Sequence, residues 1–141
     1  MILSRSLDDI MPQYRSLFQA HGITDQQWRV MRALWEQEHL TSKQISQITL
    51  IPAPSLVGIL DRLEKKGLLG RLRSVEDRRL VFIRPTKAGR ELQEIMLPKI
   101  EEIHNFLIER VTSKEWNEMK RILDKLSGHS GPSAKIFGTG N

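Results

Sequence analysis

The chain has 141 residues, a net charge of +5, 39% hydrophobic and 28% charged residues, and no cysteine. Such a length supports one core with little room for a second, catalytic domain, and the composition is that of an ordinary soluble globular protein. Without cysteine the chain makes no disulfide, no thiolate zinc site and no thiol redox sensor.

The N-terminus carries Arg5, Asp8 and Asp9, which is not a secretory signal pattern. The longest uncharged run, residues 44–60, contains Pro52 and Pro54 and several polar residues, so it is no membrane span. A cytoplasmic protein without membrane contact is expected. Leu3, Leu7, Ile10, Tyr14 and Leu17 follow alternating steps of four and three, with Met11 and Phe18 beside them. They form one helical stripe, with a kink or break expected at Pro12. After a turn at His21-Gly22-Ile23, Thr24 and Gln27 make a capping box. The helix it opens carries Trp28, Met31, Leu34 and Trp35 and is expected to end near Glu38.

Thr41 and Gln44 form a second capping box, before a short helix expected to turn Ile45 and Ile48 inward. Residues 50–54 cannot be helical throughout, because residues before proline are pushed towards extended conformations. Pro54 suits the first position of the next helix, whose stripe is Leu56, Ile59, Leu60 and Leu63 and whose stop is Gly67. Residues 68–72 and 80–83 are short apolar runs joined by a polar connection at 73–79, a β-hairpin pattern. Thr86 caps a long helix, with a kink expected at Pro98. A third capping box, Thr112 with Glu115, opens a last helix bearing Trp116, Met119, Leu123 and Leu126. Residues 128–141, rich in Gly and Ser, read as a flexible tail. The expected fold is mainly α, in the order α-α-α-α-β-β-α-α, with a winged helix-turn-helix at 41–86.

Residues 41–90 hold 11 Lys/Arg against 4 Asp/Glu, a local +7, while the other 91 residues carry −2. A basic centre of this kind is the footprint of a polyanion-binding module or a solvated basic face. In a helix-turn-helix the second helix enters the major groove N-terminus first. Pro54, Ser55, Val57 and Gly58 occupy that end. Ser55 can bond a base or phosphate, or merely its own helix start, and Val57 suits a thymine methyl. Gly58 leaves room for close approach, or relieves a packing clash. Arg62, Lys65, Lys66 and Lys43 are placed for phosphates. At the hairpin Arg71, Arg73, Arg78 and Arg79 are expected to crowd around Glu76 and Asp77. Asp77 can hold one guanidinium while another enters a narrow minor groove. The competing reading is a solvated turn with local salt bridges.

Asp77-Arg78-Arg79 followed by the helix start at Thr86 with Gly89, and the stretch 60–68 ending in Lys66-Gly67-Leu68, resemble the wing and recognition helix of the MarR family of bacterial transcriptional regulators. The likeness spans about residues 5 to 127 and departs at Pro85, where the family usually has Leu. Residues 26–30 and 54–58 also resemble the subgroup controlling homoprotocatechuate (4-hydroxyphenylacetate) degradation operons. The resemblance implies a single domain over 1–127, with helices at 1–20 and 87–127 interlocked in a homodimer. Their large apolar residues exceed what a monomer of this size easily covers. Paired recognition helices would then read double-stranded DNA on half-sites about one helical turn (~10 bp) apart.

The resemblance further implies a small anionic aromatic effector bound between the dimer helices and the DNA-binding lobe. Arg15 is the expected carboxylate clamp, with an ion pair as its other reading; His21, Trp28 and Arg29 are the remaining candidates. Trp28 can equally be core and His21 a turn residue. Glu101 and His104 have the i, i+3 spacing of a metal pair but no evident third ligand, and no nucleophile or phosphate-loop motif appears. Neither metal, cofactor nor enzymatic activity is expected. The leading reading is a repressor released from a pseudo-palindromic operator by an aromatic acid. Two others remain: a ligand-insensitive regulator that displaces nucleoid proteins, and a winged-helix protein-interaction module.

Overall fold

A computed structural model describes residues 1–128; the expected tail beyond Gly128 lies outside the described residues. The elements are α1 (Ile2–Ala20), α2 (Asp25–Glu36), β1 (Leu40–Thr41), α3 (Ser42–Thr49), α4 (Ala53–Lys65), β2 (Leu69–Arg73), β3 (Val81–Pro85), α5 (Lys87–Ile108) and α6 (Ser113–Ser127). The chain divides into two compact units, Met1–Glu101 and Glu102–Asn141.

Local chemistry sets most boundaries. All three expected capping boxes form, at Thr24/Gln27, Thr41/Gln44 and Thr112/Glu115, each satisfying two helix-end amides reciprocally. Helix α4 stops in a Schellman motif. Gly67 turns left-handed at φ 72°, its amide bonds the Glu64 carbonyl, and the Leu68 amide bonds the Leu63 carbonyl. Thr86 starts α5 by accepting from the Gly89 amide at 3.1 Å.

Several expectations are corrected. Helix α1 runs through Pro12 as one helix, so the alternative of a break there is not met, and α5 likewise continues through Pro98. The carbonyls deprived of a donor belong to Asp8 and Glu94, both exposed residues that water can serve. Leu3 and Leu7 are exposed, so only the C-terminal part of the α1 stripe, ending at Phe18, packs within this chain. Helix α2 ends at Glu36, within two residues of the expected stop near Glu38. Pro54 is the second residue of α4, because Pro52 takes the cap position with an extended backbone. Ile48 is exposed, and Thr49 points inward instead. The Thr49 hydroxyl donates to the Ile45 carbonyl at 2.7 Å, satisfying itself inside the helix.

The hairpin β2–β3 forms with Arg71 opposite Ile83, and the short strand β1 pairs with the other edge of β3, giving the antiparallel order β1-β3-β2. That third strand was not anticipated: two residues carry no periodicity. Pro85 ends β3, buried opposite Leu69, where it costs the sheet no interior hydrogen bond. One core, centred on Met31, Leu34, Ile45, Leu56, Leu60, Leu63, Leu69 and Ile83, locks α2, α3, α4 and the sheet together. A second joins Phe18, Ile23 and Trp28 to Leu92, Met96 and Ile100 on α5. In the second unit α6 buries no residue at all, although it carries Met119, Ile122, Leu123 and Leu126.

Candidate nucleic-acid interface and effector site

Helices α3 and α4 meet through a tight turn in which Leu50 adopts a left-handed backbone at φ 57°. Leu56, Ile59, Leu60 and Leu63 anchor the inner face of α4. Its first turns therefore present Pro54, Ser55 and Val57 outward, with Gly58 half-buried. Arg62 folds back along this face: its Nε donates to the Gly58 carbonyl at 3.1 Å. Its Nη2 lies 3.2 Å from where a Gly58 Cβ would sit. Gly58 thus makes room first for the chain's own arginine. Lys43 on α3 and Lys65 on α4 are exposed. Lys66, also exposed, is engaged within the chain: its Nζ donates to the Gly22 carbonyl and, at 2.9 Å, to Gln27 Oε1, tying the end of α4 to the turn before α2.

The hairpin tip is ordered around Asp77. Its carboxylate accepts from the Arg79 amide at 3.0 Å and from Arg79 Nε at 3.2 Å, while its own amide donates to Ser74 Oγ at 3.2 Å. The bonds from Arg79, backbone first and guanidinium second, hold the Asp77 carboxyl below its ordinary pKa. The guanidinium so held still has 90% of its side chain exposed. Arg73 and Arg78 are exposed and make no ion pair among the described residues. Arg71 does not join the tip. It follows Leu69 on the inner face of β2 and pairs with Asp61 (2.8 Å) and Glu64 on α4. By alternation Arg73 shares that face, so what separates Arg71 from the tip arginines is its place lower on β2, where the strand still reaches the carboxylates of α4.

The effector candidates do not converge. Trp28 is core: its ring stacks on Phe18 at 5.2 Å and meets Trp35 edge-on at 5.4 Å. Arg29 Nη2 donates to the Thr49 carbonyl, serving an orphan acceptor at the end of α3. His21 Nε2 lies 3.3 Å from Lys99 Nζ on α5. Arg15 is exposed.

Sequence reasoning passed over Arg32. It lies one turn beyond Trp28 on α2, largely withdrawn from water, with Nε 3.5 Å from Glu36 Oε1. Burial lowers the pKa of its guanidinium, opposed by Glu36 and, more weakly, by Tyr14. Burial likewise raises the Tyr14 phenol, and the Arg32 charge partly offsets that. Tyr14 in turn sits 6.4 Å from Phe18, ring to ring. A half-buried guanidinium thus stands near the Tyr14 ring, which belongs to the run of rings Tyr14, Phe18 and Trp28. The available signal was the i, i+4 spacing of Trp28 and Arg32, which share a helix face.

Residues 21–80 match the MarR family. Over 125 residues the chain is 34% identical to the HTH-type transcriptional regulator FarR of Neisseria gonorrhoeae, covering 89% of this chain and 86% of that protein. The chain belongs to the MarR family. A second relative, the homoprotocatechuate degradative operon repressor of Escherichia coli, is 30% identical over 87% of this chain and 83% of its own. Among solved structures, NadR in complex with 4-hydroxyphenylacetate matches with a TM-score of 0.77 at 34% identity, covering 91% of each chain. This MarR-family chain is therefore a transcriptional regulator with a winged-helix fold, not an enzyme. Among the described residues no helix is long and apolar enough to cross a membrane.

Proposed function

We propose that the protein is a cytoplasmic homodimeric repressor that binds a pseudo-palindromic duplex and releases it when a small aromatic acid binds. The observation that carries the DNA reading is the pairing of an exposed α4 N-terminal turn with a tip bearing Arg73, Arg78 and Arg79, one of them oriented by Asp77. A helix end suits base edges in the major groove, and arginines on a ribbon suit phosphates or a narrow minor groove. The dimer reading is supported by α6, a helix of 15 residues with an apolar stripe and nothing buried, as an uncovered interface element would be.

The effector reading rests on Arg32. A half-buried guanidinium near Tyr14, whose ring neighbours Phe18, offers a carboxylate charge-assisted hydrogen bonds and its ring an aromatic neighbour. The relatives' names point the same way: one represses a homoprotocatechuate operon, and another was crystallised with 4-hydroxyphenylacetate. Arg32 takes the clamp role in preference to exposed Arg15.

The test is operator affinity by fluorescence anisotropy with and without 4-hydroxyphenylacetate, in wild type and Arg32→Gln. Wild type should release DNA, and the variant should bind DNA normally yet fail to release. Normal release by the variant would remove Arg32 from the site. Unchanged wild-type affinity across a panel of aromatic acids would favour a ligand-insensitive regulator.

A further inference from the structure

Side chains on β2 alternate between the two faces of the sheet. Leu69 enters the core, and Arg71, two residues on, shares its face opposite buried Ile83. Where the core ends, the Arg71 guanidinium meets α4, with Nη2 2.8 Å from Asp61 Oδ1 and Nη1 on Glu64 Oε2. Those two carboxylates are three residues apart and share one exposed flank of the helix. Beyond Arg71 the hairpin's side-chain bonds among the described residues are local ones, Ser74 with Asp77 and Asp77 with Arg79. Arg71 is therefore the last side-chain bond from the hairpin to α4 on the way to the tip.

Both carboxylates lie on the helix read above as entering DNA, where an uncompensated negative charge repels phosphate. A two-stranded ribbon is also loose unless something holds it to the rest of the fold. Resting on that DNA-binding reading, we infer that Arg71 is a positioning residue for DNA recognition: it fixes the wing against α4 and neutralises Asp61 and Glu64. The bridge is substantially exposed, and exposed ion pairs contribute little to stability. Its effect belongs to binding rather than to folding.

A mutant cycle separates this role from direct contact. A duplex selected by the wild-type protein from a random pool is titrated with wild type, Arg71→Ala, Asp61→Asn/Glu64→Gln and the triple variant, each at several salt concentrations. Residues coupled in one network commonly depart from additivity by an amount equal to about tenfold in affinity. Arg71→Ala should accordingly lose about tenfold against the wild type, but no more than about twofold when the acids are already neutral. Thermal midpoints should stay together, and the salt slope of Arg71→Ala should match wild type. An equal loss in both backgrounds, with a slope reduced by about one, would mean that Arg71 touches phosphate itself and would overturn the assignment. If Arg71→Ala does not fold, Arg71→Gln enters the same cycle with the same expected non-additivity. A wild-type protein that selects no duplex overturns the DNA-binding reading and this assignment together; the other outcomes judge the assignment alone.

Discussion

Replacing Gly89 by alanine should destabilise the protein, against the usual preference of helices for alanine. Gly89 is buried in the first turn of α5, and a Cβ there would be driven into the Leu68 carbonyl oxygen and come within 3.2 Å of the Met31 methyl. Alanine in place of helical glycine ordinarily gains up to about 1 kcal/mol. Overpacking a tight site costs about 1–3 kcal/mol. The displacement also strains three hydrogen bonds at the junction, Gly89 amide to Thr86 Oγ1, Trp35 Nε1 to the Gly89 carbonyl and Thr86 amide to the Leu68 carbonyl, each 3.1 Å. Each is worth about 1 kcal/mol net, so the balance is a loss of about 2–4 kcal/mol. Gly58→Ala is the internal control, because among the described residues its Cβ would meet just the end of the flexible Arg62 side chain. That variant should be neutral or more stable by up to about 1 kcal/mol. Urea unfolding followed by circular dichroism, at one fixed protein concentration, reads both. Gly89→Ala matching or exceeding wild-type stability would refute the packing described for the α4–β2–α5 junction.

Arg78→Ala and Arg79→Ala should each weaken duplex binding by about tenfold or more at moderate salt while leaving unfolding curves unchanged; unaltered affinity in both would remove the wing from the interface. The Asp77 carboxyl should titrate below its ordinary value of 3.8, because its pKa is lowered in the folded state. Its bonds to Arg79 are then fully present above the unfolded value and lost as pH falls through the folded one. Carboxyl carbon chemical shifts would show this, and a midpoint at or above 3.8 would contradict the bonded tip. Leu123→Glu on α6 should convert the dimer to monomer in sedimentation velocity, and an intact dimer would place the interface elsewhere.

Helix starts were legible because capping is local chemistry. A hydroxyl and an amide or carboxylate three residues apart suffice, as at Thr24 and Gln27. The stop at Gly67 was legible for the same reason. Less visible was anything decided by partners distant in sequence. Ile48 and Thr49 both fit the inward side of a short helix, and the hydroxyl goes inside because it finds the Ile45 carbonyl. The Lys66 ammonium is taken up by Gly22 and Gln27, which lie 44 and 39 residues away. Arg71 left the arginine cluster because it lies low on β2, where the strand still reaches Asp61 and Glu64 on α4. Arg32 was overlooked because charged residues on helices are usually solvent-facing, whereas this one is half-buried and feels Tyr14 of α1, distant in sequence.

The most direct test is anisotropy titration of a selected duplex against the wild-type protein over a range of salt. Recognition by α4 and an arginine-bearing wing predicts log affinity falling linearly with log salt, with a slope reflecting several phosphates per dimer. Affinity independent of salt, or no duplex binding at all, would contradict a winged helix that works on DNA.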